Sequence, residues 1–436
     1  MTKFKYLVLS LLLFGCTKEV IEPRPQIAST KTTNSTQSTK TIKIPTGVEI
    51  ITVDPRLKST GKGTLTVPVV IINYLPVFKE DTNIYLDRWK TLNATLPWDN
   101  AHKITLERAK QKILLDKIIE KNAIEEGSRF RDYGTNKVKQ YVNIDVVAYI
   151  NVYDVNLIKV GNKLVDTTSD NIDNKVTIDW YNIDFNDLIN VKLKNGNFDL
   201  KSFVETKGVK EVWFTSSPRE NGFNSYNVPE SNMSSPTGDI SNGGGGNTDL
   251  PIYNKTYVVY GSNYSRGVPE DLHNRGHQIE RQLDHIDAQF NTNIYYNSFA
   301  KGRNTLGGLT HTPVNTLEQY DYSNNTSKSS NIMNWSPNGG TTNNINASTW
   351  SNIKYTYEGS IGMTSPNTFA TGDVNYINNS EYKWYIFWWQ SIPGENNKIT
   401  KTTGTGSFTK TMTVSNWWDI FYNWDSTISL KKRLIN

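Results

Sequence analysis

The sequence predicts an α/β fold: a mixed, mostly parallel sheet flanked by helices, with an irregular C-terminal part rich in Asn and Trp. Strand and helix signals alternate up to about residue 290, and the apolar run at 67–75 (VPVVIINYL) is typical of a strand buried on both faces. From residue 291 the pattern loosens into Asn, Thr, Ser and Gly with interspersed Trp and Tyr. We therefore expect a single large α/β domain over 61–436, in which the Gly-rich segment 234–250 allows an internal boundary.

The individual elements follow from periodicity. Apolar residues at helical spacing predict an amphipathic helix at 104–124 and a second long helix at 269–290. Runs rich in β-branched and aromatic residues predict the strands between them. In chain order, the further predicted elements are a strand at 141–153, a short helix at 198–206, and strands at 209–214 and 255–260.

Composition excludes several classes of protein. Hydrophobic residues make up 36% of the 436 residues and mean hydropathy is −0.55, which excludes a polytopic membrane protein. The net charge of +5 is spread along the chain without a dense basic block, so no nucleic-acid partner is expected. Because the chain has a single cysteine, Cys16, a disulfide scaffold is excluded as well.

The N-terminus has the pattern of a bacterial lipoprotein signal. A basic start and a short apolar stretch over 1–15 end in Leu-Phe-Gly-Cys, where cleavage would leave Cys16 to carry lipid chains. The polar segment that follows predicts a flexible tether over 16–60. We expect a cell-envelope protein held to the membrane by this anchor, an outer-membrane lipoprotein that is periplasmic or surface-exposed. The alternative is an ordinary signal with a chance cysteine.

A polar stripe marks the predicted helix 269–290. At 100° per residue, its His273, His277, Glu280 and Asp284 fall within about 60° of one another. His277 and Glu280 can present an imidazole and a carboxylate to one divalent cation such as Zn. The alternative is a solvated or salt-bridged helix flank, because a His-x-x-Glu spacing alone is a weak motif.

A third ligand must come from outside the helix, and His311 is the natural candidate because two glycines precede it in GGLTHTP. The predicted metal ligands are therefore His277, Glu280 and His311. Glu230 and Asp321 are the candidate general bases. Nearby polar side chains that can orient a ligand are Asn315 and Tyr322.

Tryptophans crowd the end of the chain, in KWYIFWWQ and NWWDIFYNW. Flat indole faces stack on sugar rings, so Trp388 and Trp418 are candidate glycan-binding residues. The alternative is that these side chains form core.

Several strings in order resemble a family of secreted bacterial and fungal proteins to which no reaction is assigned: VPVVIINYLP (67–76), VKEVWF (209–214), PESNM (229–233), GHQIE (276–280), GGLTHTPVN (307–315) and YDY (320–322). The resemblance implies that His277, Glu280, His311 and Asn315 are its recurring polar positions. It implies no ligand and no reaction.

Together these observations predict a lipid-anchored envelope protein that acts as a metal-dependent hydrolase of peptides or glycans. A non-catalytic surface lipoprotein that binds glycans or proteins through its C-terminal tryptophans is the alternative, and a purely structural envelope component is a third.

Overall fold

The computed structural model describes residues 43–75, 104–153, 188–194, 196–216, 231–236, 250–263, 268–300, 310–351, 380–394 and 416–429. It also describes the short segments 77–80, 83–86, 158–160, 163–164, 181–183, 240–241, 399–403 and 410–414, and positions 186 and 353.

The α-helices of these residues are α1 Leu106–Gly127, α2 Leu200–Glu205, α3 Val268–Phe290, α4 Ala347–Ser351, α5 Ser380–Gln390, α6 Trp418–Tyr422 and α7 Trp424–Ser429. Two π-helical turns span Leu188–Leu193 and Tyr295–Ala300, and two 3-10 turns span Pro55–Leu57 and Ile332–Asn334.

The strands are β1 Val48–Ile51, β2 Leu65–Tyr74, β3 Val77–Glu80, β4 Asn83–Leu86, β5 Ile104–Thr105, β6 Val142–Val152, β7 Ile158–Val160, β8 Lys163–Leu164, β9 Tyr181–Ile183, β10 Glu211–Ser216, β11 Ser231–Ser234, β12 Ile240–Ser241, β13 Tyr257–Asn263, β14 Lys328–Ser330, β15 Asn343–Ile345, β16 Ile399–Thr403 and β17 Lys410–Val414.

Seven of these strands form one mixed sheet in the order β1-β6-β2-β10-β13-β11-β12. The four central strands β6, β2, β10 and β13 are mutually parallel, whereas β1 and β11 run antiparallel to their inner neighbours. The predicted α/β class is confirmed. The elements predicted at 67–75, 104–124, 141–153, 198–206, 209–214, 255–260 and 269–290 correspond to β2, α1, β6, α2, β10, β13 and α3.

Both faces of the sheet are covered, as the near-continuous apolar run of β2 predicts. Val69 and Ile71 pack into a cluster with α1, α3 and α5, while Val70 and Ile72 pack on the other face with α2 and the turn at Leu188–Leu193. Alternate side chains of a strand point to opposite faces, so a strand with a helical layer on each side must be apolar throughout.

Helix α1 differs from its prediction, because it is buried around most of its circumference rather than on one stripe. Its buried residues include Lys112, Asp116, Lys121 and Glu125. Each lysine finds a carboxylate one turn later: Lys112 Nζ lies 2.6 Å from Asp116 Oδ2, and Lys121 Nζ lies 2.7 Å from Glu125 Oε1. The charges that looked like a solvent face are paired within the core.

A buried group of five charged residues joins α1, α3 and β10, and we call it the ionic core: Lys117, Glu120, Glu211, Asp271 and Arg275. Lys117 Nζ lies 2.9 Å from both Glu120 Oε2 and Asp271 Oδ2. Arg275 donates to both oxygens of Glu211, at 2.5 and 2.9 Å. Burial alone would lower the pKa of Lys117, but its two carboxylate neighbours raise that pKa above the usual range, so the ammonium stays charged.

Two predicted boundaries are corrected. The tether predicted over 16–60 extends too far, because β1 pairs with β6 and Leu57 is fully buried. Strand β1 is a short edge strand containing a charged residue, a weak sequence signal that its pairing overrides. The boundary allowed at 234–250 does not divide the sheet, since β11 and β12 before residue 242 pair with the same sheet as β13 after it.

Within the described residues, no helix is long and apolar enough to cross a membrane.

Candidate metal site

Helix α3 supplies two histidines from one face. His273 and His277 are four residues apart, so their side chains lie one above the other on the helix surface. Leu272, Ile279 and Leu283 bury the adjacent face of α3 in the core that it shares with the sheet. The helix therefore fixes the two imidazoles relative to a rigid scaffold.

The loop that carries His311 lies close against α3 at Gly276. A Cβ built on Gly276 would lie 2.8 Å from Thr310 Oγ1 and 3.2 Å from Trp388 Cζ3, so glycine is needed for this approach. The same loop is tied down by Glu280, whose Oε1 accepts hydrogen bonds from the Thr310 amide and hydroxyl at 2.5 and 2.7 Å. These contacts place His311 beside the two helical histidines.

The three Nε2 atoms converge. His277 Nε2 lies 3.0 Å from that of His273 and 2.9 Å from that of His311, and the remaining pair is 3.3 Å apart. Two tetrahedral nitrogen ligands at about 2.0–2.1 Å from Zn²⁺ are about 3.3–3.4 Å apart, so small ring movements would accommodate an ion. Among the described residues, His273, His277 and His311 form a cluster that can hold a metal ion, and we call it the histidine cluster.

Two of the three imidazole rings are oriented by hydrogen-bond partners at Nδ1, the nitrogen that points away from the cluster. His277 Nδ1 lies 3.2 Å from Glu280 Oε2, and His273 Nδ1 lies 3.0 Å from the Tyr385 hydroxyl. A neutral imidazole with its hydrogen on Nδ1 offers the Nε2 lone pair to a metal, so both contacts favour the ligating tautomer.

Tyr385 is itself held in a hydroxyl network. Its oxygen lies 3.0 Å from the Tyr322 hydroxyl and 3.2 Å from Glu381 Oε1, and Tyr322 donates to the Thr310 carbonyl at 2.7 Å. Burial, and next the negative charge of Glu381, raise the pKa of both Tyr385 and Tyr322. Both phenols therefore stay protonated and act as neutral hydrogen-bonding supports for the site.

Comparison of the chain with protein-family models, curated proteins and solved structures finds no match. The interpretation of this site therefore rests on the residues of the chain itself.

The structure brings together two of the three predicted ligands, His277 and His311, and replaces the third. His273 supplies the third Nε2, while Glu280 lies behind His277 and bonds to Thr310. The predicted stripe on α3 already contained His273. The spacing could not show that the carboxylate would be engaged by the loop that carries His311.

The other predicted polar residues support the loop. Tyr322 belongs to the hydroxyl network, and Asn315 donates its amide hydrogens to the carbonyls of Asn324 and Thr326, at 2.8 and 2.9 Å. The Asp321 carboxylate accepts a hydrogen bond from Asn324 at 2.7 Å. The amide hydrogens of Asn315 therefore stabilise the loop. Glu230 and Cys16 lie outside the described residues.

The prediction that Trp388 and Trp418 bind glycans is wrong. Trp388 is 0% and Trp418 is 1% exposed, and both belong to the core cluster under the sheet. A fully buried indole presents no face to a sugar ring, so these two residues pack the interior. The alternative reading of the C-terminal tryptophans as core describes them correctly.

Proposed function

We propose that the protein is a zinc-dependent hydrolase of peptides or glycans, in which His273, His277 and His311 bind the metal. The observation that carries this proposal is the convergence of three Nε2 atoms within 3.3 Å of one another. Imidazole nitrogens on a rigid helix and an anchored loop are a ligand set that suits zinc.

The character of the ligands supports a catalytic over a structural role. Three neutral imidazoles leave the charge of the ion undiminished and leave a fourth position for water or substrate. Zinc in such a site lowers the pKa of bound water to about 7 and polarises carbonyl oxygens. The Glu280 carboxylate does not occupy this fourth position, because it bonds to His277 Nδ1 and to Thr310.

The remaining roles are assigned to the chain as follows. Glu280 and Tyr385 orient His277 and His273, which keeps the ligand nitrogens in place during a reaction. For the general base we propose Asp321, which lies in the loop that also carries His311, or Glu230, which directly precedes β11.

We also propose that Cys16 is lipidated and tethers the domain to the bacterial envelope, where peptide and glycan polymers are the available substrates. The Leu-Phe-Gly-Cys signal supports this assignment. Labelling of cells with a fatty-acid analogue should mark the wild-type protein and leave Cys16→Ser unmarked. Equal labelling of the two would refute the anchor.

The hydrolase proposal is tested with purified full-length protein loaded with zinc, on a fluorogenic peptide library and on fluorescently labelled cell-wall glycan fragments. We expect hydrolysis that chelator abolishes and added zinc restores. His277→Ala should be inactive, whereas His285→Ala is the matched control, because His285 lies on the same helix but contacts Trp424. A zinc-loaded protein that hydrolyses neither library would contradict the catalytic role.

A further inference from the structure

Tyr320 stands over the mouth of the histidine cluster. Its side chain is among the few large exposed ones in the described residues, at 55% exposure, yet its hydroxyl lies 3.2 Å from His311 Nε2. Its ring is nearly parallel to that of His273, with 15° between the planes and 6.0 Å between the centroids. An exposed phenol therefore directs its oxygen at an atom that we assign as a metal ligand.

The backbone holds Tyr320 in this position. Its φ is 62°, in the left-handed region that residues with a Cβ seldom adopt, and its amide donates to the His311 carbonyl at 2.8 Å. Tyr322, two residues later, is buried and hydrogen-bonded. The main chain is thus held by the hydrogen bond of the Tyr320 amide and by the buried side chain of Tyr322. The Tyr320 phenol can therefore move by rotation of its side chain alone.

We propose that the Tyr320 oxygen occupies the fourth coordination position of the resting metal centre and swings outward when a substrate binds. This inference rests on the proposed metal centre. Once His311 Nε2 binds an ion, its lone pair is no longer available to the Tyr320 hydroxyl. The 3.2 Å between the phenol oxygen and His311 Nε2 is close to the separation of two ligand atoms on one ion, so the phenol would supply the oxygen of a four-coordinate set with three nitrogens.

The position of Tyr320 favours a displaceable cap over a permanent ligand. Because the residue is 55% exposed, its outward rotation gives up only ring contacts with His273, His311 and Tyr322. The binding of an external ligand should then be weakened by the fraction of time that the phenol occupies the site.

The test uses full-length protein loaded with Co²⁺, whose visible spectrum reports ligand exchange, titrated with azide as a small external ligand. Tyr320→Phe keeps the ring and removes only the oxygen. We expect it to bind azide about tenfold more tightly, because the competing ligand is gone. It should bind Co²⁺ itself more weakly. Opposite changes in the two affinities would not result from general loss of structure.

Tyr253→Phe is the control, because Tyr253 packs on the opposite face of the sheet, and it should titrate like the wild type. Tyr320→Ala repeats the test without the ring, in case the Phe variant folds poorly. Unchanged azide affinity in folded variants that still bind Co²⁺ would overturn the Tyr320 cap and leave the metal centre intact. Failure of the wild type to bind Co²⁺ or Zn²⁺ would overturn both.

Discussion

The ionic core and the histidine cluster lie on the same helix and are built with the same spacing. Asp271 and Arg275 of α3 enter the ionic core, and His273 and His277 enter the histidine cluster. Both pairs are four residues apart, and the offset of two residues turns one pair by about 200° from the other. One helix therefore presents a polar pair on each of two opposite sides.

The two groups differ in how they balance charge. In the ionic core, two cations lie among three carboxylates, so each cation contacts a group of opposite charge. In the histidine cluster, three identical nitrogen atoms face one another. Buried opposite charges satisfy one another and become costly when one partner is removed, whereas a group of electron-pair donors is suited to an added cation. The ionic core is therefore satisfied by its own residues, whereas the histidine cluster can accept a metal ion.

The largest expected effect is a loss of stability when the ionic core is disrupted. Arg275→Met removes the partner of Glu211 and leaves a buried carboxylate, which should lower the free energy of unfolding by about 3–5 kcal/mol. Urea-induced unfolding measures the loss. The matched control is Arg56→Met, since Arg56 pairs with Asp54 at the surface and should contribute less than about 1 kcal/mol. A similar loss for both variants would show that the ionic core has no special structural role.

The second prediction concerns the histidine cluster and metal. Zinc at a hundred times its dissociation constant should stabilise the wild type by about 2.7 kcal/mol, because the ion binds the folded state. Thermal unfolding with and without chelator measures the gain. His277→Ala should show no zinc-dependent shift, and His285→Ala should keep the full shift. Stabilisation of His277→Ala by zinc would place the metal elsewhere.

The third prediction distinguishes a ligand from a residue that positions one. Glu280→Gln should retain a metal site but weaken zinc binding by about 10- to 100-fold, because His277 and the Thr310 loop lose a charged partner. Competition with a chromophoric chelator gives the affinity. Asp284→Asn, one turn further along the same stripe, should bind zinc like the wild type. Complete loss of binding in Glu280→Gln would instead make Glu280 a direct ligand.

The smallest expected effect lies at Gly276. Alanine gains about 1 kcal/mol in helix propensity, but its Cβ would press on Thr310 and Trp388 at a cost of about 1–3 kcal/mol. We expect a net loss of roughly 1 kcal/mol in the free energy of unfolding, accompanied by weaker zinc binding. An increase in stability with unchanged zinc affinity would show that the loop tolerates the displacement.

The sequence predicts the scaffold well where a single periodicity decides the structure. The apolar run of β2 and the spacing of α3 depend on local pattern, and both elements form as predicted. Helix α1 was harder, because Lys117 and Lys121 look like solvent-facing residues until their buried carboxylate partners are known. Pairing across elements is a tertiary property that hydropathy does not contain.

Contacts between elements also limited what the sequence could predict about the site. The stripe on α3 located His273, His277 and Glu280 together, and the glycines before His311 indicated a loop that approaches closely. Which stripe residues face the metal depends on Thr310, whose amide and hydroxyl engage Glu280. Trp388 and Trp418 were ambiguous for a related reason, since an indole serves equally well in a core or on a sugar-binding face.

The most direct test of the central claim is the metal content of purified full-length protein after zinc loading and removal of unbound metal, measured by mass spectrometry. The account predicts one zinc per chain in the wild type and in His285→Ala, and none in His273→Ala, His277→Ala or His311→Ala. His273→Ala is decisive, because the sequence predicted Glu280 rather than His273 as the ligand that joins His277 and His311. A wild type without zinc, or a His273→Ala variant that retains it, would contradict the three-histidine centre.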